Sequence, residues 1–142
     1  MGRIVGNVDT PAKRRNAHLR SCAEVVRLLA QRPDFGLEER DMAAFLVFSL
    51  RGIWETIDES AQVWDDRDYW KKAEALRHKW RWTRTQAASI EQILRSGTMN
   101  ALPIHLIELV GQLSDVTVTQ ITRDSDWWVG AYRALMKQKA TA

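Results

Sequence analysis

Two long stretches of four-and-three apolar spacing lie back to back in this chain, and they restrict its fold more than any other feature. The first runs through Ala43, Leu46, Leu50, Ile53, Ile57, Ser60 and Trp64, with Phe45, Phe48 and Trp54 widening the apolar side. The second runs through Tyr69, Ala73, Leu76, Trp80, Thr83, Ala87, Ile90 and Leu94. Residues three and four apart share one face of an α-helix, so each stretch reads as a long helix with one buried seam. The step from Trp64 to Tyr69 breaks the phase, and Asp65, Asp66, Arg67 and Asp68 offer side-chain caps for the second helix. A tight turn there makes the two helices antiparallel neighbours.

The remaining elements are shorter. Leu19, Cys22, Val26 and Leu29 mark a helix that Thr10 caps, with Pro11 at its first position and Pro33, Asp34, Phe35 and Gly36 ending it. Ser96 and Gly97 close the second long helix. Leu102, Leu106, Leu109 and Leu113 predict another, with Thr98 or Asn100 as cap, Pro103 in the first turn and Gly111 weakening its end. Val116 to Ile121 is rich in β-branched residues but has no sheet partner, and reads as a loop or helix start. Asp124 and Ser125 cap a last helix carrying Trp128, Ala131, Tyr132 and Leu135. The helices are expected near residues 12–32, 38–63, 67–96, 101–113 and 125–138. The fold class is all-α: an antiparallel bundle of four to five helices with two long central ones. A length of 142 residues suits one domain over 1–142, with 1–10 and 138–142 frayed.

Composition narrows the function classes. One cysteine, Cys22, excludes an internal disulfide framework and any multi-cysteine metal site, which points to a reducing, cytoplasmic setting. No stretch approaches a membrane span, and Met1 to Pro11 lacks the apolar run of a secretory signal. The formal net charge of +3 hides a strong segregation. Residues 34–68 hold three bases and ten acids, whereas 69–97 hold seven bases and two acids. Packed side by side, the acidic and basic helices answer much of each other's charge.

Glu38 and Asp41 form an ExxD pair, and Glu55, Asp58 and Glu59 an ExxDE group. This resembles the paired acidic motifs of all-helical nucleotide pyrophosphohydrolases of the MazG type. The resemblance implies Mg²⁺-dependent pyrophosphate release, with Glu55, Asp58 and Glu59 as the metal candidates. Against one shared ion stands the helix rise, which separates Glu38 from Glu55 by about 25 Å. A di-iron bundle requires Glu-x-x-His pairs, and none of His18, His78 and His105 has a Glu three residues before it. His105 reads as a surface or core-edge residue and Cys22 as a buried, inert thiol. With no phosphate-binding glycine loop, nucleophile elbow or HExxH, no cofactor is expected and the chain leans towards a non-enzymatic role.

Seven tryptophans against two tyrosines and three phenylalanines is the compositional oddity. Trp64 and Trp80 fall on the seams and Trp54 and Trp70 on their flanks, as core-filling rings. Trp82, about 200° round the helix from Trp80, is expected opposite the seam near His78, Lys71, Lys79 and Gln86, with Ile93 on the same outer side. A protein interface through Trp82, Ile93, His78 and Gln86, in a homo-oligomer or a larger assembly, is therefore the first expectation. Nucleic-acid binding by the basic helix 69–97, through Lys71, Lys72, Lys79, Arg81 and Arg84, is the second. The nucleotide hydrolase is the third.

Overall fold

The computed structural model describes residues 10–118 and 125–140. Among these residues five α-helices follow one another: α1 (Pro11–Ala30), α2 (Leu37–Asp66), α3 (Trp70–Ser96), α4 (Leu102–Gln112) and α5 (Ala131–Lys137). Short 3₁₀ turns at Met99–Ala101 and Ser125–Trp128 precede α4 and α5. No strand occurs among the described residues, and the all-α antiparallel bundle with two long central helices is the architecture observed.

Local chemistry explains most of the boundaries. The Thr10 hydroxyl accepts the Lys13 N–H at 3.2 Å, and Pro11 occupies the first turn, where its missing N–H costs nothing. The Gly36 N–H donates to Glu39 Oε1 at 2.8 Å at the start of α2. Burial works to raise the Glu39 pKa, but this bond and the Arg32 guanidinium outweigh it and hold the carboxyl below its ordinary value. Gly97 ends α3 in the left-handed region at φ 77°, its N–H donating to the Ile93 carbonyl at 2.9 Å.

Three local expectations are corrected. Between α2 and α3 the aspartates do not cap the new helix: Tyr69 holds the N-cap position without a side-chain bond. Asp68 instead adopts φ 63°, the left-handed conformation that Asp tolerates better than most residues, and it stops α2. Neither Thr98 nor Asn100 caps α4, which begins after the 3₁₀ turn with Ala101 at the N-cap. The last helix is interrupted, because Gly130 takes φ 85° and divides 125–138 into the 3₁₀ turn and α5. The proposed cap Asp124, the stretch 119–121, and the ends 1–9 and 141–142 lie outside the described residues.

α2 is the centre of the bundle. Leu46, Leu50, Ile53 and Ile57 are completely buried, α1 and α3 flank it, α5 packs along its first half, and α4 lies over α1 and α3. On α3 the seam holds at Ala73, Thr83, Ala87, Ile90 and Leu94, while Leu76 and Trp80 are half-buried. Trp70 departs from its expected core role and is 62% exposed at the first position of α3. The segregated charges meet as the packing requires. Arg14 of α1 bonds Glu59 at 2.8 Å, and Arg77 of α3 bonds Asp58 at 3.3 Å and Asp65 at 2.9 Å. Donating these hydrogen bonds to Asp65 and Asp58 holds the Arg77 pKa above its ordinary value.

Candidate functional site

The four residues expected to share an outer face divide into three environments. His78 is exposed. Trp82 is half-buried and packs against the core. Gln86 and Ile93 are only 5% and 6% exposed, so Ile93 is a core residue and not part of an outer surface. The reason is a second stripe on α3: Trp82, Gln86, Ser89 and Ile93 also repeat at four, three and four residues, and α4 with its leading 3₁₀ turn closes over that side.

Gln86 is the polar centre of this contact. Its Nε2 donates to Glu108 Oε1 at 3.1 Å and to Gln112 Oε1 at 3.2 Å, leaving its Oε1 to accept from His105 Nδ1 at 2.9 Å. That pattern requires a proton on His105 Nδ1 and fixes the half-buried imidazole at the core edge. Trp82 and Gln86 line one shallow hollow together with Arg81, His105 and Glu108. The sequence located two of these residues but not their partners, because α4 supplies them from a distance of about twenty positions.

Lys71, Lys72, Lys79, Arg81 and Arg84 are all exposed, and among the described residues none has a carboxylate within ion-pair distance. Four of them instead lie near aromatic rings. The Lys72 ammonium is 4.8 Å from the Trp64 ring centre, Lys71 5.7 Å from Trp70, Lys79 5.9 Å from Trp80, and the Arg84 guanidinium 6.0 Å from Trp54. They are spread along α3 and over both its flanks.

The acidic group on α2 is pulled apart. Asp58 turns to Arg77 on α3, Glu59 turns to Arg14 on α1, and Glu55 is exposed with its charge felt by His18. Among the described residues no three metal-binding side chains converge. Cys22 is fully buried, and burial drives its thiol pKa far up, which removes the thiolate that nucleophilic chemistry requires.

The surface feature that the sequence reading missed is on α4. Leu102, Leu106 and Leu109 face the core, yet Ile104, Ile107 and Val110 are 67%, 73% and 54% exposed. Their spacing of three places them in one strip along the outside of the helix. Two hollows of about 390 and 350 Å³ lie beside the strip, between α4 and the second half of α1. Their walls include Ala23, Val26, Ala30 and Phe35, with Val110 on both and Ile107 on one. The signal was present in Leu-Pro-Ile-His-Leu-Ile-Glu-Leu-Val, which is apolar on two faces and carries one charge. Comparison of the chain with protein-family models, with curated proteins and with solved structures finds no match in any of the three.

Proposed function

We propose that this protein acts through a protein interface built on the outer strip of α4, and that the partner is a second copy of the chain. The observation that carries this reading is the exposed run Ile104, Ile107 and Val110 beside two apolar-walled hollows. A contiguous apolar patch of a few hundred Å² costs solvation free energy unless another surface covers it. Ridge and hollows lie side by side on the same face, so a two-fold arrangement sets the ridge of each copy against the hollows of the other. Gly111, with open space where a side chain would stand, lets the backbones approach at the end of the strip.

Light scattering across a concentration series tests this directly. The expected mass is twice the 16.4 kDa of one chain, reverting to one chain in Ile107→Asp with helicity retained. A wild-type chain that keeps the single-chain mass up to millimolar concentration overturns the reading.

One observation favours a second reading, a contact with nucleic acid: the five exposed cations of α3 have no acidic partners among the described residues. A salt-dependent shift with single-stranded RNA or DNA, weakened in Lys71→Ala and Arg81→Ala with the mass unchanged, is its test.

A further inference from the structure

A cavity of about 580 Å³ opens between α1, α3 and the end of α4, and none of the strip residues Ile104, Ile107 and Val110 lines it. One wall is aromatic. Residues two apart on a helix project about 200° from each other. The Trp80 and Trp82 rings nonetheless stack, with centres 6.1 Å apart and planes inclined by 27°. Both side chains therefore turn from their separate directions towards this space and form one continuous surface. Both rings pack against the edge of the core and keep part of their surface on this space.

The polar lining has a definite charge bias. Among the described residues its cations are Lys79 and Arg20 and its acid is Asp115. Lys79 has no carboxylate within ion-pair distance among the described residues, and its ammonium rests 5.9 Å from the Trp80 ring centre. Arg20 is held from behind. Its guanidinium is 3.5 Å from Glu24, a carboxylate with a 1% exposed side chain whose two oxygens have no hydrogen bond among the described residues. Among the described residues Arg20 is the cation paired with this buried carboxylate, whose attraction is strengthened by its burial. Arg20 itself stays 43% exposed, with donors to spare for a second anion.

We propose that this cavity binds a small ligand made of a flat aromatic ring and an anionic group. The ring lies on the Trp80–Trp82 wall, and the anion sits between Lys79 and Arg20. Stacking on indole tolerates many ring systems, whereas charge-assisted hydrogen bonds select for the anion. The volume suits one molecule of about nucleotide size. This site is separate from the dimer reading and stands without it.

Titration calorimetry on the full chain tests the proposal with adenosine 5′-monophosphate and 2-naphthoate, against adenosine and inorganic phosphate as controls. At least one of the two aromatic anions should bind saturably and at least about tenfold more tightly than either control, since ring and charge act together. Binding of the first alone identifies a phosphate, and of the second alone a carboxylate, as the anionic group. Lys79→Ala, on an exposed position, should weaken binding by roughly tenfold with an unchanged circular dichroism spectrum. Lys137→Ala, on α5 and outside the cavity, should not weaken it. The proposal is overturned if neither anion binds saturably, or if Lys79→Ala binds as tightly as the wild type.

Discussion

The imidazole of His18 on α1 lies in the space that a side chain at Gly52 on α2 would occupy: a Cβ built there falls on the ring nitrogen and its two neighbouring carbons. The absent side chain in the middle of a thirty-residue helix lets α1 approach at this point. Above it, Arg15 reinforces the same contact, donating to the Thr56 hydroxyl at 3.1 Å and to Ser60 Oγ at 3.0 Å.

Gly52→Ala is therefore expected to destabilise the protein. Overpacking costs about 1–3 kcal/mol, only partly offset by a helix-propensity gain of about 1 kcal/mol. Urea melts measure it, and adding His18→Ala to Gly52→Ala should recover part of the loss. A Gly52→Ala protein more stable than the wild type would show that the ring moves aside freely.

His18 also gives the contact a pH dependence. Burial lowers its pKa, with the Arg14 charge adding to this and Glu55 opposing it. The unfolded chain, with the ordinary value near 6.5, thus binds more protons than the folded one between the two pKa values. The stability contribution is full above about pH 6.5 and is lost as the pH falls from there through the folded-state value. Urea midpoints between about pH 7.5 and pH 5 should fall more steeply for the wild type than for His18→Asn. Parallel curves for the two proteins contradict this.

A third expectation concerns Glu91, which is 3% exposed and bonds Arg51 at 2.7 Å and Arg95 at 2.8 Å. Those arginines hold the end of α5: Arg95 donates to the Leu135 and Gln138 carbonyls at 3.1 and 2.9 Å, and Arg51 to Gln138 Oε1 at 2.9 Å. Seven residues do not sustain a helix alone, so α5 depends on this docking. Glu91→Ala should cost about 3–5 kcal/mol by leaving two partly buried cations without their shared anion. Hydrogen exchange should accelerate in α5 before it does in α2. Uniform acceleration along the chain contradicts the docking role.

The stacked tryptophans should prove energetically coupled. Sequence spacing alone sets Trp80 on the seam and Trp82 opposite, and so predicts a distinctly smaller loss for Trp82→Ala than for Trp80→Ala. Half-burial of both rings brings the expected losses together, at about 2–3 kcal/mol each, below the range for fully buried aromatics. A double-mutant cycle should return a coupling of about 0.5–1.5 kcal/mol. A coupling near zero separates the two rings.

What could be read from the chain alone was whatever depends on near neighbours in sequence. Thr10 and Pro11 start α1 and Gly97 stops α3 through bonds that span three or four residues. The seam Leu46, Leu50, Ile53 and Ile57 follows from the period of the helix, and the charge pairs of Arg14 and Arg77 follow from placing an acidic helix beside basic ones. The tertiary structure decided how many neighbours each helix meets. A periodic pattern identifies an apolar face, but it does not say whether another element covers the adjoining one. Ile93 and Gln86 are buried because α4 returns over α3, and Ile104, Ile107 and Val110 are exposed because no described element returns over α4. The backbone at Asp68 and Gly130 was decided in the same way, by where the chain had to turn to dock its next helix. The candidate sites lie in that second category, on surfaces and hollows that exist only where distant segments meet.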